Sequence, residues 1–230
     1  MATGAPVPGS GRLILVRHGE TEGNIAKVLD TRVPGSPLTE RGVAQAKSFA
    51  TRLSVPPLRL YASVALRAQQ TAGHIESVTG VPVEALDGVH EVQVGDLEGH
   101  GSDEAHQEFQ RIYRSWHAGE LDTRLPGGES GAEVLRRYLP ALEQLRADYL
   151  TTAEGRTQDV MVVSHGAAMR LVARRLTGAA ALFTVNNRLD NTETIELVPT
   201  ADGAWTCVRW GRHTPPFNYQ TGSAIAPPMG

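Results

Sequence analysis

Leu13-Ile14-Leu15-Val16-Arg17-His18-Gly19-Glu20-Thr21 is a four-residue apolar run that gives way at once to an arginine, a histidine and a glycine. A run this short and apolar at every position predicts a strand buried on both faces, as in a parallel sheet. A second stretch repeats the arrangement. Val160-Met161-Val162-Val163 leads into Ser164-His165-Gly166, and a helical pattern then runs to Thr177, closed by Gly178. In open α/β sheets ligands sit beyond the carboxyl ends of the strands, so the residues immediately after each run carry the most weight. Both runs deliver a histidine there.

Outward from these two points, strands and helices alternate. Thr39 caps a predicted helix to about Leu53, with Val43, Ala46, Ala50 and Leu53 on one stripe. Leu58–Ala62 reads as a strand, and Ala68, Thr71, Ala72 and Ile75 mark a helix face ending near Gly80. Val81–Leu86 is an edge strand carrying Pro82. Glu104–Trp116 is helical, and Ser130 with Glu133 forms a capping box for the helix that bears Val134, Tyr138, Leu142, Leu145 and Tyr149. Pro140 is expected to kink or split that helix. Thr194–Val198 and Trp205–Trp210 complete the sheet. The pattern is that of an α/β fold, a largely parallel sheet covered on both faces.

The 230 residues suit one α/β domain over 12–213, able to bury about 70% of its unfolded surface. The ends, 1–11 and the Pro/Gly-rich 214–230, read as flexible tails. Net charge is −3, which lacks the basic excess of a nucleic-acid or anionic-membrane binder. One cysteine, Cys207, excludes an internal disulfide and a Cys-rich zinc site. With no apolar stretch of membrane-spanning length and no leader pattern, a cytoplasmic protein is expected.

The chemistry follows from the strand ends. Gly19 and Gly166 permit tight turns and close ligand approach, and the helix start after Gly166 offers N–H groups to an anion. Arg17, beside His18, and Arg67, beyond the strand ending near Ala62, present guanidinium forks that match phosphate oxygens. Nearby cations disfavour the histidine cation, and a neutral imidazole is a nucleophile able to form a phosphohistidine. His18 is the candidate nucleophile, with Arg17, Arg67 and His165 holding the equatorial oxygens. Glu91 is the candidate general acid and base, with Asp96 or Glu98 as alternatives. His74, His100, His106, His117 and His213 are read as structural or solvated. Arg111, Arg114, Arg136, Arg137, Arg174 and Arg175 are read as solvated helix faces. Segment 100–130 is a candidate cover for the site.

Arg17-His18-Gly19-Glu20-Thr21-x-x-Asn24, Arg67-Ala68-x-Gln70-Thr71-Ala72, Glu91-x-x-x-Gly95-Asp96-x-Glu98-Gly99 and Ser164-His165-Gly166, in that order, resemble the histidine phosphatase superfamily. The likeness to this phosphoglycerate-mutase-like group spans about residues 12–198. It implies a three-layer α/β/α sandwich with a helical insertion around 100–130, His18 as nucleophile, a pocket of Arg17, Arg67 and His165, Asn24 as a further phosphate contact, Glu91 as proton donor, and no metal or cofactor. Cofactor-dependent mutases of the group usually carry an aromatic before the asparagine, where this chain has Gly23, and a different acid segment. Leu97 and Val64 depart from the phosphatase pattern, which usually has an aromatic and a proline there. The expectation is a phosphatase acting on small-molecule phosphomonoesters, with a mutase or a non-catalytic phospho-ligand-binding module as alternatives. The commonness of two-fold dimers leaves a homodimer open.

Overall fold

Strand β1, Leu13–Arg17, sends alternate side chains into two separate cores, which fixes the layering. Leu13 and Leu15 enter one core, Ile14 and Val16 the other, as the two-residue period of a strand requires. The computed structural model describes residues 10–151 and 158–217. In chain order β1 is followed by α1 (Glu22–Ala26), α2 (Glu40–Thr51), β2 (Arg59–Ala62), α3 (Leu66–Thr79), β3 (Val83–Ala85), α4 (Asp103–Ala118) and α5 (Gly131–Leu145). Then come β4 (Val160–Ser164), α6 (Gly166–Thr177), α7 (Ala181–Asn186), β5 (Thr194–Pro199) and β6 (Trp205–Trp210). Among the described residues the sheet has the order β3-β2-β4-β1-β5-β6. Its first four strands are parallel, and β5 and β6 continue antiparallel beyond β1.

Residues of α2 and α3, such as Phe49, Ala68 and Ile75, pack with Ile14, Val16, Met161 and Val163 on one face. Residues of α4, α5 and α6, such as Phe109, Tyr138 and Leu171, pack with Leu13, Leu15, Val160 and Val162 on the other. The three-layer α/β/α sandwich with a helix in the 100–130 insertion is therefore present. Each fully buried Leu, Ile or Val stabilises the sandwich by about 1.5–3 kcal/mol.

Local signals hold at the caps. Thr39 Oγ1 accepts from Gly42 N at 3.0 Å, the Ser130–Glu133 box closes, and Gly178 takes the left-handed conformation after α6. One reading is corrected and two observations are added. Pro140 does not split its helix: α5 runs through it, and because Pro140 and Arg136 are both exposed, solvent can satisfy the carbonyl that the proline leaves unbonded. Beyond the expected boundary at 213, Phe217 packs on Phe183 with ring centroids 4.8 Å apart. Residues 1–9 and 218–230 of the expected tails lie outside the described residues. Third, α1 and α7 were not expected; α1 depends on a Thr21–Asn24 capping box and not on an apolar stripe, its Ile25 being exposed.

Candidate active site

The register of two neighbouring strands creates the site. Arg17 on β1 pairs with Ser164 on β4, so the next residues, His18 and His165, leave the sheet side by side. His18 N donates to Ser164 O at 3.0 Å, and the ring centroids lie 5.3 Å apart. Because α2 and α3 cover one face while α5 and α6 cover the other, a crevice opens at these strand ends. Arg17, His18, Asn24, Asp30, Arg67, Glu91, Gly166, Arg170 and Arg188 are among its lining residues.

His18 Nδ1 lies 2.7 Å from Gly19 O. A carbonyl only accepts, so Nδ1 carries the hydrogen and Nε2 holds the lone pair. Burial first, then Arg67 and Arg17, push the His18 pKa well below the usual histidine range, which keeps the ring neutral. His165, fully buried, places Nε2 2.8 Å from Ser63 Oγ, while its Nδ1 has no hydrogen-bond partner in the described chain. Its pKa is likewise depressed by burial and by Arg67. Arg17 Nη1 donates to Leu189 O at 2.6 Å, and burial lowers its pKa to about 10.

Arg67 is 2% exposed, and its nearest counter-charge, Asp30 Oδ2, stays 3.9 Å from Nη1, too far for a hydrogen bond. Nη1 is a buried donor with no acceptor among the described residues. Gly35 backs it at φ +73°, and a Cβ there would strike Nη1. Asn24 Oδ1 accepts from Thr21 N at 3.1 Å and from Asn191 Nδ2 at 3.2 Å. With the oxygen so engaged, the Asn24 amide N–H groups are directed elsewhere, and the residue lines the cleft.

Glu91, 4% exposed, accepts at Oε1 from Val92 N (2.8 Å) and Ala168 N (2.9 Å), and at Oε2 from Ala167 N (3.1 Å). Oε1 thus has both lone pairs engaged, whereas Oε2 keeps one for a proton. Glu98 is bound to Thr31 and Arg32, Asp96 lies against Gly127, and neither lines the cleft.

One reading of the site is corrected, that of Arg137, and three observations are added. The first turn of α6 serves Glu91, a carboxylate of the chain itself, at Ala167 and Ala168, where a ligand anion was expected. Gly19 is required by packing, since a Cβ would come 2.6 Å from Gly42 O of α2. Arg137 is no solvated face: it pairs with Glu129 at 2.8 Å and donates to the carbonyls of Gly88, His90 and Glu91, clamping the Glu91 loop. Segment 100–130 contributes no lining side chain. It is tied down by Tyr113 Oη to Ala167 O and by the contact of His106 Nε2 with Lys27 O. Sequence reasoning missed Arg170, Arg188, Asn191 and Ser63. Arg170 had a signal, standing four residues after Gly166 and so on the same face of α6.

His18, His165 and His117, the last lowered to about 3 mainly by burial, share a consequence for stability. On unfolding each returns to about 6.5 and binds a proton below that pH, so their contribution is complete above pH 6.5 and is lost as pH falls. From pH 6.5 to 5 the expected loss is about 2 kcal/mol for His117, and His18 and His165 add to it in the same direction. Urea midpoints at pH 7 and pH 5 check this; equal midpoints would contradict neutral rings in the folded state.

Among the described residues no group of three or more His, Cys, Asp or Glu is arranged to hold a metal ion, and no helix is long and apolar enough to cross a membrane. A mostly parallel sheet with two imidazoles and two arginines at its central strand ends defines a phosphoglycerate-mutase-like α/β enzyme. The chain belongs to the histidine phosphatase superfamily (branch 1), whose profile matches residues 13–213. It is 35% identical over 173 residues to an adenosylcobalamin/alpha-ribazole phosphatase of Salmonella typhimurium, covering 74% of this chain and 82% of that one. It is 32% identical over 203 residues to a probable phosphoglycerate mutase of Enterobacter sp., covering 86% and 89%. A mycobacterial glucosyl-3-phosphoglycerate phosphatase, solved with VO3, superposes with a TM-score of 0.76 at 25% identity, covering 88% and 99%.

Proposed function

We propose that this chain is a metal-independent phosphatase that hydrolyses small phosphomonoesters through a phosphohistidine on His18. One observation carries the reading: a buried arginine with an unused donor, its counter-ion Asp30 3.9 Å away and not hydrogen-bonded to it, stands near a neutral histidine whose free nitrogen is fixed as Nε2. Such a pocket is complete only with an anion in it.

In the proposed reaction Nε2 of His18 attacks phosphorus while Arg17, Arg67, His165 and Asn24 bind the equatorial oxygens. The P–O bond to the leaving group breaks, and the leaving oxygen takes the proton from Glu91 Oε2. Water, deprotonated by the same carboxylate, then attacks the phosphohistidine and releases phosphate and free His18. Gly23 before Asn24 and the short acid segment favour water over a second phosphoglycerate as acceptor.

Three assays on one preparation test the reading: hydrolysis of an aryl phosphate, isomerisation of a phosphoglycerate, and binding of inorganic phosphate. Hydrolysis without isomerisation supports it. Dominant isomerisation assigns a mutase, and binding without turnover assigns a phospho-ligand module. Arg137→Ala should cost about 2–4 kcal/mol of stability, because three carbonyls and Glu129 lose a charged donor. It should also lower kcat by releasing the Glu91 loop. Arg137→Lys, lacking the fork, should restore only part of each. Denaturant titration and kinetics check both.

A further inference from the structure

The cleft carries more positive charge than phosphoryl binding uses. Arg17, Arg67, Arg170 and Arg188 line it against two carboxylates, Asp30 and Glu91. With both imidazoles neutral, a phosphomonoester dianion balances that excess only while Glu91 is ionised. Once Glu91 carries the proton it is to deliver, one positive charge is left over.

The leftover charge has an address. Arg17, which also donates from Nη1 to Leu189 O, and Arg67, which faces Asp30, are both assigned to the phosphoryl group. Arg170 donates to Gly166, Thr184 and Val185 carbonyls and lies 5.0 Å over the Tyr113 ring. Arg188, in the loop after α7, is partly buried and makes no hydrogen bond or ion pair with any described residue. Arg170, Arg17, Arg114 and Tyr113 face it, with no carboxylate among them, and burial with these cations lowers its pKa to about 10. Asp190, two residues on, pairs instead with Arg212 at 3.5 Å. Glu91 and Asp190 act on Arg17, but no carboxylate is among the groups that act on Arg188, and cations in a half-buried site repel one another until an anion arrives.

We propose that Arg188 is a specificity-determining residue that binds an anionic group, a carboxylate or a second phosphate, on the leaving-group portion of the ester. This rests on the phosphatase reading. Esters with an anionic tail then gain a charged hydrogen bond that neutral esters lack.

The test compares phosphoglycolate and 1,3-propanediol bisphosphate with ethyl phosphate, in the wild type, Arg188→Gln and Arg188→Lys. The wild type should favour at least one anionic ester in kcat/KM by about tenfold or more. Which one is favoured separates carboxylate from phosphate. In Arg188→Gln the preference should fall to within about twofold, chiefly through KM, and Arg188→Lys should keep part of it. A wild type without preference, or equal losses on all three esters in Arg188→Gln, overturns the proposal. If the wild type turns over none of them, the phosphatase reading fails. Calorimetric binding of the same compounds still decides Arg188: an anionic preference lost in Arg188→Gln supports it, and its absence overturns it.

Discussion

His18→Ala is expected to lose at least about 10⁴-fold in kcat, or 5–6 kcal/mol of barrier lowering, while the protein still folds and binds phosphate. The size follows from the mechanism. In the proposed mechanism the imidazole is the bond-forming group, and no rearrangement replaces Nε2, which Gly19 O holds in its lone-pair form. The sheet does not depend on the ring: His18 N remains bonded to Ser164 O, and Arg17 and Arg67 keep their places. Quenching the wild type during turnover of a radiolabelled ester should trap a label on protein that survives base and is lost in acid, as a phosphoramidate is. The variant should show none. A variant that still labels would move the nucleophile elsewhere, with His165, 5.3 Å away, the nearest imidazole.

Glu91→Gln is expected to lose about 10²–10⁴-fold in kcat/KM, and the loss should depend on the leaving group. An aryl phosphate, whose leaving oxygen needs little protonation, should lose least, and an alkyl phosphate most. The substitution is also not electrostatically silent. Its single oxygen can take the place of Oε1 between Val92 N and Ala168 N, but its NH2 then faces Ala167 N–H, donor against donor. A stability loss of about 1–3 kcal/mol should accompany the kinetic one. Equal kinetic losses across leaving groups would show that Glu91 shapes the site without delivering a proton.

The parts legible in the sequence were those governed by short-range chemistry. Four-residue apolar runs ending in His18 and His165 announced parallel strands, and Thr39, Ser130, Gly80 and Gly178 marked helix ends through local hydrogen bonds and backbone preference. Arg137 was misread because its pattern is that of an exposed helical arginine. What buries it is the loop 88–91, about 47 residues away in the chain, and no local period encodes that pairing. Asn191 and Arg188 come from an irregular connection, where nothing in the spacing says which way a side chain faces. The α6 start was correctly identified as a place for negative charge, but an intramolecular carboxylate filled it, since Glu91 is brought there by tertiary packing alone.

The two imidazoles issue from adjacent central strands, whereas Arg188 and Asn191 come from an irregular connection between α7 and β5, buried at Leu189 and otherwise partly exposed. Parts joined to the middle of a sheet open only when the whole molecule does, while peripheral connections fluctuate at far lower cost. Amide exchange should therefore be slow around Val16 and Val163 and fast around 187–192. The proposed catalytic histidines and the proposed ester-sorting arginine can then diverge separately, so a descendant could change its substrate by redrawing one short connection while inheriting its chemistry untouched.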